Sequence, residues 1–173
     1  MNDNTTEVMK RLTEAYEDML ERAHGLLVTT EERSFPVLRD ALRHAADTMV
    51  EVGEFTRDET ERVRVWLERD MHDAAEHLEE DREDLSAWFR FDMQLIENRL
   101  LETFASLADQ TALRLRELAE EARAVGVWKT GEVTGPGTLV CDGCGKELHF
   151  HKVGHIPPCP GCKGTSFRRG VDA

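Results

Sequence analysis

Four cysteines are the residues of this chain best suited to chemistry. They fall as Cys141-x2-Cys144 and Cys159-x2-Cys162, with 14 residues between the pairs and all four inside a 22-residue stretch. A C-x2-C pair bends the chain so that two sulfurs reach one point from a single tight turn. Two such turns, joined by a hairpin, complete a tetrahedron of thiolates, the shell that zinc takes as a structural ion. The central spacing is one residue short of the usual range of about 15 to 20, a small difference for a loop. Glycines and prolines crowd the two pairs: Gly143 and Gly145 at the first, Pro160, Gly161 and Gly164 at the second. The expected centre is one structural Zn2+ held by Cys141, Cys144, Cys159 and Cys162. Four thiolates leave no open position for water, so no catalytic residue is assigned there and the protein is expected not to be an enzyme.

Other uses of the cysteines fit less well. Two disulfides need an oxidising compartment, and nothing in the sequence argues for one. A thioredoxin-like pair needs a strand-to-helix setting that this glycine-rich tail lacks. His149, His151 and His155 lie between the pairs, but with four well-spaced cysteines they read as strand or surface residues. His149 and His151 would share one face of a strand. On the helical side, His72 with Glu76 and Asp73 with His77 stand four apart, whereas the di-metal bundles use Glu-x-x-His pairs on two helices together with further glutamates. Solvated ion pairs are the better reading. The acidic run from Glu76 to Asp84 likewise reads as a solvated face. No phosphate loop or nucleophile elbow is present.

The elements that would carry these residues divide at about Gly126. Before it, Met9, Leu12, Tyr16, Met19, Ala23 and Leu26 follow one helical stripe, and Phe35, Leu38, Leu42, Ala45, Met49 and Val52 another. Pro36 suits the first turn of the second helix, after Ser34 as a cap. Gly53 interrupts, and Thr56 with Glu59 forms a capping-box start for a third helix carrying Val63, Leu67, Met71, Ala74 and Leu78 inward. Near-heptad spacing continues from Phe89 through Leu100 and Leu115 to Ala122, with no proline or glycine between Gly53 and Gly126. The pattern over residues 58–125 suits one long helix or two that fold back. Beyond Gly126 lie 9 of the 12 glycines and 4 of the 5 prolines. Thr138–Val140, Glu147–Phe150 and Thr165–Arg168 are the expected strands there, with a turn at Gly135-Pro136-Gly137. The predicted fold is mainly α: an antiparallel long-helix hairpin or bundle, coiled-coil-like, over residues 1–126, and a small β zinc ribbon over residues 127–173.

Charge follows the same division. Residues 1–126 carry 31 acidic against 16 basic side chains, whereas the rest carry 4 against 6, for a net −13 overall. The acidic part should repel nucleic acid and anionic membrane. Lys146, Lys152, Lys163, Arg168 and Arg169 are a candidate basic patch on the ribbon, and Trp128, Phe150 and Phe167 candidate stacking residues. Against that, a four-thiolate zinc site carries about −2 and cancels the tail's excess, and in so small a domain the aromatics suit a core. Direct nucleic-acid binding is therefore not favoured. No secretory signal or membrane-length apolar run is visible, so a cytoplasmic protein is expected.

The run from Gly126 through Trp128, Gly131, Gly135-Pro136-Gly137 and Cys141, followed by Cys144-Gly145, Cys159-Pro160-x-Cys162 and Phe167-Arg168-Arg169, resembles a bacterial family of uncharacterised zinc-ribbon-containing proteins. The segment Gly53–Glu59 resembles a turn in the same family. The resemblance spans about residues 44–170 and implies acidic helices before a ribbon whose four cysteines bind zinc; it implies no activity. The leading expectation is a non-enzymatic protein whose helices and ribbon are recognition surfaces for a protein partner or a second copy of the chain. One alternative is a transcription- or translation-linked regulator, with Asp58 and Glu59 near an acidic hairpin tip that contacts RNA polymerase. Another is a redox switch in which oxidation of the thiolates ejects zinc.

Overall fold

The computed structural model describes residues 3–28, 35–81 and 126–170. Among these the chain forms three helices, α1 (Asp3–Val28), α2 (Phe35–Glu51) and α3 (Arg57–Asp81), and six short strands. The strands are β1 (Trp128–Lys129), β2 (Val133–Thr134), β3 (Gly137–Cys141), β4 (Glu147–Phe150), β5 (Gly154–His155) and β6 (Ser166–Arg169). The near-heptad run from Phe89 to Ala122, the choice between one helix and two over residues 58–125, and the acidic stretch beyond Asp81 lie outside the described residues. So do the side chains of Glu76, His77 and Leu78, and with them the two helical histidine–carboxylate pairs.

Each helix touches the other two. The apolar stripes supply the shared core: Leu12, Tyr16, Met19 and Ala23 from α1, Leu38, Leu42, Ala45 and Met49 from α2, Val63, Leu67, Met71 and Ala74 from α3, all buried. Two stripe residues depart from expectation. Leu26 is 36% exposed and Leu27 is buried in its place, because a helix of 3.6 residues per turn drifts against a repeated 3-4 spacing over several turns. Val52 is 58% exposed because α2 ends at Glu51 and Val52 already belongs to the turn. That turn is a Schellman motif: Gly53, at φ 75°, donates its N–H to Val50 O (3.0 Å), and Glu54 donates to Met49 O (3.2 Å).

The next helix begins with the reciprocal cap that its sequence calls for. Thr56 N–H donates to Glu59 Oε2 (2.8 Å), and Glu59 N–H donates to Thr56 Oγ1 (3.3 Å). Arg11 of α1 reaches the same carboxylate with Nε (2.9 Å) and Nη2 (3.2 Å), tying the start of α3 to α1. The guanidinium's hydrogen bonds hold the Glu59 carboxyl down to about 2 from its usual 4.5; partial burial opposes the shift, and the Thr56 bonds add to it. A depressed carboxyl stabilises the fold fully above its unfolded value and loses that contribution as pH falls through its folded value. Glu59→Gln is therefore expected to cost about 1–2 kcal/mol at pH 7. The gap to the wild type in paired denaturant titrations should close between about pH 4.5 and pH 2.

The strands form a four-stranded antiparallel sheet in the order β1-β6-β3-β4, with β2 and β5 as a separate pair. The expected strands correspond to β3, β4 and β6; β1, β2 and β5, at two residues each, are too short to show a period. β3 is buried along its whole length. One transverse row of the sheet aligns Trp128 of β1 with Phe167 of β6, and Phe167 with Cys141 of β3. These three join Leu139, Ile156 and Cys159 in a small core.

The sheet region is seated on the helices. Val133 and Val153 are buried within the helical core, and β2 touches both α1 and α3 while β5 touches α1. Among the described residues no helix is long and apolar enough to cross a membrane.

Candidate metal centre

Each cysteine pair sits in a turn built by the same two backbone hydrogen bonds. In the first, Gly145 N–H donates to Cys141 O (2.8 Å) and Cys141 N–H to Lys146 O (2.9 Å); in the second, Lys163 N–H donates to Cys159 O (2.9 Å) and Cys159 N–H to Gly164 O (2.9 Å). The residue after the second cysteine is left-handed in both turns, Gly145 at φ 70° and Lys163 at φ 62°. Glycine accepts that conformation without a steric penalty and lysine does not. Lys163→Gly is thus expected to raise stability by about 0.5 kcal/mol, seen as a melting temperature about 1–2 °C higher. Gly145→Ala, the reverse change in the matching turn, should lower stability by about 1 kcal/mol.

The two turns bring all four sulfurs within 4.8 Å of one another. Cys141 Sγ lies 3.5 Å from Cys162 Sγ, and Cys144 Sγ lies 3.6 Å from Cys159 Sγ. A tetrahedron with metal–sulfur distances of about 2.3 Å has sulfurs about 3.8 Å apart, so the set fits a four-coordinate ion of zinc's size. All four cysteines are free of disulfides. Cys141 and Cys159 are buried, Cys144 and Cys162 exposed, so the cluster has one face in the ribbon core and one toward solvent. Gly164 N–H points at Cys162 Sγ from 3.4 Å. A Cβ on Gly164 would stand only 3.1 Å from that sulfur and 3.2 Å from Cys141 Sγ, so backbone encloses the cluster closely.

The electrostatics also call for a cation. The Cys159 thiol is drawn down to about 6, first by the Cys162 backbone N–H. Cys162 receives the Gly164 N–H, yet the neighbouring sulfurs of Cys144 and Cys141 push it up to about 12. Ionisation at Cys159 thus opposes ionisation at Cys162, a repulsion that a bound cation would relieve. The four cysteines are positioned to bind a metal ion.

Residues 26–171 match the zinc-ribbon containing domain, a span that takes in α2, α3 and the whole sheet region. The chain belongs to this zinc-ribbon family. It is 33% identical over 136 residues to the uncharacterized protein YbeL of Escherichia coli strain K12, covering 75% of this chain and 81% of that relative. The YbeL proteins of E. coli O6:H1 and O157:H7 match to the same extent. No solved structure matches.

Within this zinc-ribbon protein the other candidate residues fall differently from the sequence reading. Arg169 does not belong to a surface basic patch: it is 4% exposed and its Nε donates to Asp73 Oδ2 at 2.8 Å. Its guanidinium crosses directly over Gly137, at φ 139°, where a Cβ would collide with it. Arg168 pairs with Asp142 at 3.4 Å. Trp128 and Phe167 are buried and unavailable for stacking. His149 Nδ1 lies 3.0 Å from Thr138 Oγ1, and His151 falls just past the end of β4 rather than beside it on the strand. None of the three histidines between the cysteine pairs enters the sulfur cluster.

What the sequence reading missed is a buried carboxylate. Asp70 of α3 is 0% exposed and sits where the sheet region meets the helices. Its Oδ2 accepts from Tyr16 Oη (2.8 Å), Thr134 Oγ1 (3.0 Å) and Gly135 N–H (2.8 Å). Its Oδ1 accepts from Trp128 Nε1 (2.8 Å) and Arg69 Nε (3.1 Å), with Arg169 Nη2 at 3.8 Å. The Arg69 and Arg169 guanidiniums lie 4.7 and 4.8 Å from the centre of the Trp128 ring. Burial opposes ionisation of Asp70, but the two guanidiniums, the Gly135 N–H and the Tyr16 hydroxyl outweigh it and hold the carboxyl below its usual range.

Proposed function

We propose that this protein holds one structural zinc ion on Cys141, Cys144, Cys159 and Cys162 and acts as a non-enzymatic interaction protein. Its helices and ribbon would offer recognition surfaces to a protein partner or a second copy of the chain. The observation that carries the metal reading is the convergence of four sulfurs within 4.8 Å from two matched turns. A four-thiolate shell supports a structural ion, because it leaves no position for a reacting molecule.

The groove between α2 and α3 fits the same reading. It holds about 320 Å³ and is lined by Arg43, Asp47, Arg57, Glu61 and Arg64 among others. Arg57 pairs with Asp47, Arg64 with Glu61, and Arg43 with Asp40 on the same helix. Matched surface charges support a solvated groove more than a reaction site. The polymerase-tip alternative loses half its motif, since Glu59 is engaged by Arg11 and Thr56.

The test has two parts. Protein purified without added metal should carry about one zinc per chain, and its cobalt-exchanged form should give the spectrum of a tetrahedral four-sulfur site. Affinity capture at native expression should then recover a defined protein partner with the wild type and not with the Cys159→Ser/Cys162→Ser form. Turnover of any substrate that depended on the intact centre would overturn the non-enzymatic reading.

A further inference from the structure

The surroundings of Asp70 join the metal centre to the helices. Five hydrogen bonds reach its carboxylate: one from α1 through Tyr16, one from its own helix through Arg69, and three from the sheet region through Trp128, Thr134 and Gly135. Arg169, at the end of β6, adds its charge at 3.8 Å and binds Asp73 one helical turn away. So most of what satisfies this buried helical charge is supplied by the ribbon.

The ribbon's hold on Asp70 leads back to the sulfurs in two steps. Cys141 lies beside Phe167 across β3 and β6, and Phe167 lies beside Trp128 across β6 and β1. All three are buried in one small core with Cys159. The strands between them are two to five residues long. A segment this small buries too little apolar surface to keep its shape without a cross-link or a metal. Loss of the ion therefore withdraws three donors and a guanidinium from Asp70, and removes Val133 and Val153 from the core between the helices.

We propose that Asp70 and its ribbon donors are a latch through which metal occupancy sets the stability of α1 and α3. The proposal rests on the metal reading of the cysteines given above. By linkage it works in both directions: metal protects the helices, and weakening the latch weakens metal affinity by the same factor. Such a device would let a helical surface that binds a partner be present or absent according to metal supply.

Hydrogen exchange by mass spectrometry on the full-length chain tests it, comparing the zinc-loaded wild type with the chelated protein and with the Cys159→Ser/Cys162→Ser form. Backbone amides around Tyr16 and Asp70 should exchange about tenfold faster or more without metal, although they lie on other elements than the cysteines. Thr134→Val removes one donor and keeps the side chain's bulk; Trp128→Phe removes another and keeps an aromatic ring, though a smaller one. Both should retain about one zinc per chain, narrow the exchange ratio, and weaken zinc affinity in a chelator competition by a matching factor of about 3 to 10. Loss of protection confined to residues 128–170, with α1 and α3 unchanged, would overturn the latch, as would an unaltered zinc affinity in both variants. Failure of the wild type to bind zinc at all is a different result and would sink the metal reading instead.

Discussion

Cys159→Ser is expected to lower the melting temperature by more than about 10 °C and to leave less than about a tenth of a zinc ion per chain after dialysis against a mild chelator. The magnitude follows from what the ion does. Structural zinc contributes on the order of 10 kcal/mol to folding a small ribbon, and one serine in place of a thiolate removes both a ligand and its charge. The four positions should not be equivalent. Cys141 and Cys159 are buried, with Cys141 next to Phe167 in the Trp128–Phe167–Cys141 row, whereas Cys144 and Cys162 face solvent. A buried serine hydroxyl left without a partner costs about 1–3 kcal/mol beyond the lost ligand. Serine at Cys141 or Cys159 should therefore be more damaging than serine at Cys144 or Cys162, where water can approach. Parallel melting curves and metal analysis of the four single variants check this order. Four equal losses would mean that burial of two sulfurs adds nothing.

Such a centre is legible from sequence because its geometry is local. Two residues between cysteines fix the turn, and the residues beside them, Gly145 and Gly164, fit it. The helical stripes are legible for a similar reason: burial on one face requires apolar residues at helical spacing. Asp70 was hidden by its company. It stands in Glu68-Arg69-Asp70, one of many charged triplets in an acidic chain, and such residues usually face water. A signal was nonetheless present. Asp70 falls three residues after Leu67 and four before Ala74, so it shares the inward stripe of α3. A carboxylate there must find donors, and the three from the ribbon come from residues 58 or more positions away in sequence. Only the folded arrangement of sheet on helices reveals them. The same holds for Arg169, whose neighbour Arg168 is an exposed ion-pair partner while Arg169 points inward, as alternation along β6 requires.

Asp70→Ala should cost about 3–5 kcal/mol, the largest effect of any single change outside the cysteines. The loss is not that of one contact. Removal of the carboxylate leaves Arg69 at 5% exposure and Arg169 at 4% with diminished compensation, and deprives the Tyr16 hydroxyl, the Trp128 indole N–H and the Gly135 N–H of their acceptor. Asp70→Asn keeps the shape and one acceptor oxygen but gives up the charge between two guanidiniums. It should cost less, about 2–3 kcal/mol, and remain folded at room temperature. Denaturant titrations of both variants at pH 7 measure the two losses. The sign with pH is fixed by the direction of the shift: Asp70 is held below its usual range, so its contribution is present above about pH 4 and disappears as pH falls through its lower folded value. If Asp70→Ala were instead neutral, the arginines would be finding water or Glu132 and Asp73 as sufficient partners. The junction between ribbon and helices would then be held by those two ion pairs together with Val133 and Val153.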